Sequence, residues 1–373
     1  MKRLSLAVLL AGITAGSAMA QDFGAVALSG SAEMDLFYRT NNTADGDGKL
    51  LEEIAIVINL DGKEKLDSGN TLKWRLAQKV ATDYRFDSFG QREAWIGYAG
   101  GWGELRFGNQ FSNAYLTNDW PYGAKGATNL TGDFGAHSVQ YTRAISYFSP
   151  NLNGFNLQAQ YDLGTGDGDL YAYEVTGSYA AGPLALDLGY TNGHGFNNGT
   201  EALAPGWDGG WGKGGKYSAS NQDSGQSTYY IGARYNHESG FGLAALYKHH
   251  EWDKGTFGGW GNAGSTSVSY NNASADQWLI RGSMSVGQHS FALGYQAITD
   301  MDVDSGKLNS GISQIHFQYD YPLSKATGFF VQARHEMMDK QAGIVAPGGY
   351  QIDGWNGKSD NVTRVLVGTW TGF

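Results

Sequence analysis

The residue types that could perform covalent chemistry are few in this chain and badly placed for it. His249, His250 and Glu251 stand together, but neighbours on an extended strand point to opposite faces and cannot converge on one metal ion. Two runs, Gly210-Trp211-Gly212-Lys213-Gly214-Gly215 and Gly259-Trp260-Gly261-Asn262-Ala263-Gly264, fit the dinucleotide fingerprint letter by letter. Neither follows a strand and opens a helix, as that fingerprint requires, so both read as loop glycines. No Gly-x-Ser-x-Gly elbow and no His-Glu-x-x-His pair occurs. Cysteine is absent, which removes disulfides and thiolate metal sites. No enzyme, cofactor or metal centre is expected. What remains is fixed charge on otherwise apolar strands, and its chemistry is non-covalent: sorting ions and polar solutes by an electric field.

The elements that would hold such charges are strands. Residues of opposite character separate by parity: Phe155, Leu157, Ala159 and Tyr161 against Asn156, Gln158 and Gln160; Tyr229, Ile231, Ala233 and Tyr235 against Gly232, Arg234 and Asn236; Phe291, Leu293, Tyr295 and Ala297 against Gly294 and Gln296. Sixteen such strands are expected: 25–39, 50–61, 70–81, 91–100, 103–110, 138–149, 154–162, 170–180, 184–193, 227–237, 241–251, 275–286, 288–298, 310–321, 325–337 and 361–373. Their connections alternate between tight turns, such as Gly101-Trp102, Ala181 to Pro183 and Gly287, and long polar segments at 111–137, 194–226, 252–274 and 338–360. This sorting of loops belongs to a transmembrane antiparallel barrel with both termini on the short-turn side; a soluble β-sandwich has no reason for it. Tyrosines near strand ends, such as Tyr171, Tyr173, Tyr179, Tyr190, Tyr319 and Tyr321, fit an interfacial girdle facing outer-membrane lipid.

Composition agrees. With 56 glycines and 13% aromatics, mean hydropathy is only −0.38. That is too polar for helical spans of about 20 apolar residues, while a barrel shows only alternate residues to lipid. Lys2 and Arg3, the apolar run Leu4 to Ile13, and Ala18-Met19-Ala20 before Gln21 read as a secretory signal peptide over residues 1–20, leaving one barrel domain over 21–373. Without that leader, 24 basic residues face 36 acidic ones, a net of −12. Such a balance argues against nucleic acid as a partner. The last strand ends on Phe373, which resembles the C-terminal signal read by the barrel-assembly machinery of the bacterial outer membrane. Thr371 stands where that signal often has an aromatic, with Trp370 one step out of register.

Three segments resemble the Gram-negative general porin family: Gln91 to Gln110, with an Arg before an apolar-Gly-apolar run and a Gly-Trp-Gly turn; Gly62 to Trp74; and Tyr147 to Phe155. The resemblance implies an all-β, up-and-down barrel of about sixteen strands. It implies a homotrimer in the outer membrane of a Gram-negative bacterium, and a third loop folded into each lumen. Here that loop is 111–137, which would bring Asp119, Trp120, Tyr122, Asp133 and Phe134 to a pore constriction. Family members oppose its acids to basic wall residues. Arg92 matches a wall arginine of the family. Parity sends Lys73, Arg75 and Lys79 inward, opposite Leu72, Trp74, Leu76 and Val80, and likewise Arg106, between Leu105 and Phe107. Val57 and Ser146 stand where the family often has further wall arginines, so the basic cluster is thinner here.

The implied function is passive diffusion of small hydrophilic solutes and ions through water. Acids facing bases across a narrow pore set up a transverse field that disfavours apolar solutes. With Glu33, Asp35 and Glu53 also on inward positions and a net of −12, a mild cation preference is expected. The rival reading is a channel selective for sugars or oligosaccharides, in which Trp120 and the loop residues Trp207, Trp211, Trp252, Trp260 and Trp355 stack on sugar rings; packing of those loops accounts for the same tryptophans.

Overall fold

Parity along the sequence becomes a wall with two chemistries. The computed structural model describes residues 25–41, 46–81, 90, 92–119, 121–123, 140–164, 171–194, 224–258, 267–342 and 359–373; residues 1–20, expected to be a signal peptide, lie outside them. Within the described residues eighteen strands form one antiparallel sheet: Ala25–Arg39 (β1), Lys49–Lys65 (β2), Thr71–Ala81 (β3), Glu93–Gly100 (β4), Gly103–Phe111 (β5), Gln140–Phe148 (β6), Phe155–Asp162 (β7), Tyr171–Ala181 (β8), Leu184–His194 (β9), Gly225–Asn236 (β10), Phe241–Gly258 (β11), Ser267–Val286 (β12), His289–Ile298 (β13), Asp302–Val303 (β14), Gly306–Lys307 (β15), Ile312–Pro322 (β16), Thr327–Met338 (β17) and Asn361–Gly372 (β18). One short helix, Asn113–Asn118 (α1), follows β5. The two-residue strands β14 and β15 make a small hairpin within one connection, which leaves sixteen strands for the wall. Each of these pairs with its sequence neighbours, and β1 pairs with both β2 and β18, so the sheet closes without an edge.

The inner and outer faces follow the alternation. Large apolar side chains such as Leu36, Ile54, Ile96, Phe107, Val175, Leu188, Ile231, Leu293 and Val367 are exposed on the outer face. The buried set includes Glu53, Glu104, Glu174, Asp187, Arg334 and Arg364 on the inner face. A soluble domain has the reverse arrangement; here the solvent for the outer face is hydrocarbon. The outer tyrosines form a continuous band across β7 to β10, with ring centroids 5.9 Å apart for Tyr161 and Tyr171, 6.4 Å for Tyr171 and Tyr173, 5.9 Å for Tyr173 and Tyr190, and 4.8 Å for Tyr190 and Tyr229.

The sixteen strands expected from alternation are the sixteen of the wall. Their ends agree within two residues except at β2, which continues to Lys65, and in the hairpin of β11 and β12. There the expected loop 252–274 is largely strand: the ladder continues from Trp252 opposite Ala273 to Gly258 opposite Ser267. The ladder skips Lys254, which sits at a positive φ of 43°. That residue reverses the phase, so Phe257, at an odd position, continues the buried face begun by the even Trp252. A period-2 pattern interrupted in this way reads as loop.

At the seam, Ser31 to Arg39 of β1 face Gly372 to Arg364 of β18. Gly30 N–H donates to Phe373 O at 2.9 Å, and Phe373 N–H donates to Gly30 O at 3.1 Å. A Cβ at Gly30 would lie 2.1 Å from Val57 O and 2.6 Å from the Phe373 ring. The two ends therefore meet at a contact that tolerates no side chain. Trp370 turns to the inner face, against the cluster of Phe37, Phe330 and Leu366. Gly30→Ala is expected to destabilise the folded barrel by about 1–3 kcal/mol, the usual effect of overpacking, read as a lower urea midpoint of the heat-modifiable band in electrophoresis.

Candidate functional site

The inner faces of β2 to β5 carry a lattice of opposite charges. Because Asp61 faces Arg75 directly across the ladder of β2 and β3, the guanidinium reaches both its oxygens, Nε to Oδ1 at 2.7 Å and Nη2 to Oδ2 at 3.1 Å. The remaining amino group, Nη1, donates to Glu93 Oε2 at 3.2 Å. Lys73 Nζ donates to Glu104 Oε2 at 2.8 Å, and Arg106 Nε donates to Glu104 Oε1 at 2.5 Å. The Arg106 guanidinium lies 4.2 Å from the ring centroids of both Trp95 and Phe148. Lys73, Arg75 and Arg106 are thus brought together, each bonded to an acid that parity alone had not singled out. Asp61, Glu93 and Glu104 were legible in principle, since each occupies the inward parity of its strand. Arg92 stands just before β4, 4.8 Å over the Phe111 ring.

The three inward acids lie on the first hairpin. Asp35 faces Glu53 across β1 and β2 and faces Gly368 across β1 and β18. Both carboxylates are buried, and Glu33 stands two residues before Asp35. Beyond them runs a row of basic residues not evident from parity alone. Arg281, Gly294, His316, Arg334, Arg364 and Arg39 face one another in turn across β12, β13, β16, β17, β18 and β1. Like charges directly opposite destabilise a ladder, and these guanidiniums are engaged elsewhere. Arg39 lies 4.5 Å and Arg364 6.0 Å over the Phe37 ring. Arg364 also donates to Gln332 Oε1. Their signal was uneven: Arg334 shares parity with Gln332 and Glu336, whereas Arg364 is flanked on its face by Val362 and Leu366, and Arg39 follows Phe37 on its own.

The start of the predicted constriction loop is bound to inner-face side chains of β7 to β12. Ser112 caps α1, its Oγ accepting from Tyr115 N–H. Glu174 on β8 collects four donors: Ser112 Oγ at 2.7 Å, Tyr141 Oη at 3.1 Å, Ala114 N–H at 3.2 Å and Asn113 N–H. Asp119 ends α1 with its N–H on Tyr115 O at 2.9 Å and is itself 6% exposed. Tyr122 Oη donates to Asp187 Oδ2 at 2.7 Å, and Arg234 Nη2 donates to the same oxygen at 2.9 Å. Burial, then the Asp187 charge, pushes the Tyr122 hydroxyl above its ordinary pKa, so it remains a donor. Arg281 donates to Pro121 O at 3.0 Å and to Gly123 O. Gly232 is the space Tyr122 needs, since a Cβ there would lie 2.3 Å from its oxygen. Trp120, Asp133 and Phe134 lie outside the described residues, as do Trp207, Trp211, Trp260 and Trp355. Trp252 is 6% exposed and packs edge-on against Phe257, so it serves the wall rather than an open surface. His250 points inward to Thr228 and Gln277, while His249 bonds Asp276 on the outer face.

A closed sheet with lipid-compatible residues outside and bonded charges inside defines a transmembrane β-barrel with a polar lumen. The chain belongs to the Gram-negative porin family, whose model matches residues 5–341, and is accordingly an outer-membrane channel protein. It is 25% identical to a chitoporin of Vibrio furnissii over 295 residues, 72% of this chain and 73% of that one. Among solved structures it is similar to an anion-selective porin from Comamonas acidovorans, with TM-score 0.69 and 18% identity, covering 94% of this chain and all of that one. It is also similar to the trimer form of OmpT, an outer membrane protein of Vibrio cholerae, with TM-score 0.66 and 14% identity over 94% of this chain and all of that one.

Replacing Glu174 by Ala removes the common acceptor of Ser112, Asn113, Ala114 and Tyr141. The expected destabilisation is about 1–3 kcal/mol, typical of stranded buried donors. Single-channel recordings should show larger current fluctuations than the parent chain, without loss of the barrel's heat-modifiable mobility.

Proposed function

We propose that this chain forms a water-filled channel for passive diffusion of small hydrophilic solutes and ions. The observation that carries the reading is the binding of residues 112–114 and 121–123 to inner-face acids and bases, Glu174, Asp187 and Arg281. A segment held there supports an inward fold for the whole of 111–137, which would narrow the lumen and bring Asp119, Trp120, Tyr122, Asp133 and Phe134 near the row of Arg281, Arg334, Arg364 and Arg39. The solute's own gradient drives flow; the protein contributes size and charge limits. Residues 1–20 act as the export signal, both termini lie in the periplasm, Phe373 addresses the assembly machinery, and three copies associate. The trimer form of the OmpT structure supports the last point.

The charge preference is a mild one for cations. Glu33, Asp35 and Glu53 and a net of −12 favour it, while the arginine row keeps it weak. A second reading, a channel selective for sugars, is favoured by one observation, the similarity to a chitoporin across 73% of that protein.

The test is reconstitution in planar bilayers. Expected are ohmic channels in KCl, a zero-current potential slightly favouring potassium over chloride, and liposome swelling by small sugars that falls with solute size. A potential favouring chloride would overturn the charge preference alone. Concentration-dependent block by micromolar chitooligosaccharide would establish the sugar-selective reading in place of the general one, and no permeation by any small sugar would overturn both.

A further inference from the structure

A cavity of about 270 Å³ lies between α1 and the inner faces of β4 to β7. At about 30 Å³ per water it has room for roughly nine waters, enough for a small organic molecule. Its described lining includes Glu93, Arg106, Gln110, Phe111, Leu116 and Phe148. The Arg106 guanidinium carbon lies over the rings of both Trp95 and Phe148, 4.2 Å from each centroid. Among the described residues it hydrogen-bonds only through Nε, to Glu104. Its two Nη groups therefore present a fixed, unspent fork, the geometry that matches a carboxylate. Glu93 accepts from Arg75 Nη1 and from Trp95 Nε1, both at 3.2 Å, and each of its oxygens keeps a further lone pair. Gln110 is 2% exposed, and among the described residues neither polar atom of its carboxamide has a hydrogen-bond partner.

The surrounding charges decide what kind of ligand fits. Lys73, Arg75 and Arg106 are matched by Asp61, Glu93 and Glu104. These pairs cancel one another and Arg92, over the Phe111 ring, adds a single positive charge, so both signs are present around the cavity and a molecule carrying both signs meets a partner for each. Phe111, Phe148 and the half-exposed Leu116 supply an apolar wall. We propose that this cavity binds zwitterionic α-amino acids with apolar side chains. The carboxylate lies on the Arg106 fork, the ammonium on Glu93, and the side chain against Phe111, Leu116 and Phe148. The site goes beyond passive diffusion, and it rests on the lumen being open to solutes.

Binding is measured by isothermal titration of the purified full-length protein in detergent with leucine and with its two half-ligands, 4-methylpentanoate and 3-methylbutylamine. Leucine is expected to bind at least about tenfold more tightly than either half. Arg106→Lys, which keeps the charge and loses the fork, should weaken leucine and 4-methylpentanoate about tenfold and leave the amine unchanged. Glu93→Gln should weaken leucine and the amine and spare the carboxylate. Equal binding of leucine and one half-ligand, or no saturable binding of leucine, overturns the proposal, and this comparison needs no variant. Conductance in KCl on the same preparation separates the two failures: channels without leucine binding sink the site alone, and absence of channels sinks the diffusion reading.

Discussion

The constraint on which everything else depends is the pairing of backbone N–H and C=O groups in a medium that offers no water. In hydrocarbon each unpaired group costs several kcal/mol, so a sheet is stable there only when every strand has two neighbours. The pairing of β1 with β18 meets that requirement. Once the ladder is closed, parity has no freedom left: one face is committed to lipid and the other to the lumen, and a slip of one residue would exchange them. The outward leucines and the inward carboxylates are two consequences of one hydrogen-bond pattern.

Closure also explains why the lumen is so densely paired. Side chains of opposite charge on neighbouring strands face each other at ladder spacing, as Asp61 and Arg75 do. A charge there is stabilised by a neighbour without any loop being needed. Residues 112–119 and 121–123 add a second layer, in which carboxylates of β8 and β9 accept hydrogen bonds from them and Arg281 of β12 donates to the Pro121 and Gly123 carbonyls. The lumen is thus organised by two sets of contacts: wall to wall on β2 to β5, and wall to loop on β7 to β12.

Most of the wall was legible before the structure because alternation is a local property, and even the inward side of Lys73, Arg75 and Arg106 could be read from Leu72, Trp74 and Phe107. What escaped was non-local. Parity tells which face a residue occupies and not which residue it meets, so the partners Asp61, Glu93 and Glu104, and the row from Arg281 to Arg39, required the register between strands. The hairpin beyond Trp252 escaped for another reason: a single positive φ at Lys254 inverts the phase, and no window of fixed period spans it. Trp370 shows the opposite case. It was one position out of step with the expected signal, and the register places it inside against Phe37, Phe330 and Leu366.

The seam has a further meaning in time. Nearly every other pairing in the wall joins strands that follow one another along the chain, and these can form as hairpins as soon as both partners exist. The contacts between β1 and β18 join residues more than 300 positions apart, as Thr40 and Thr363 illustrate. Contacts of such separation form slowly, since a long loop must close first. Until they form, two bare strand edges are open to any passing chain. The barrel therefore has a vulnerable interval built into its connectivity, and the pairing of β1 with β18 is the event that ends it.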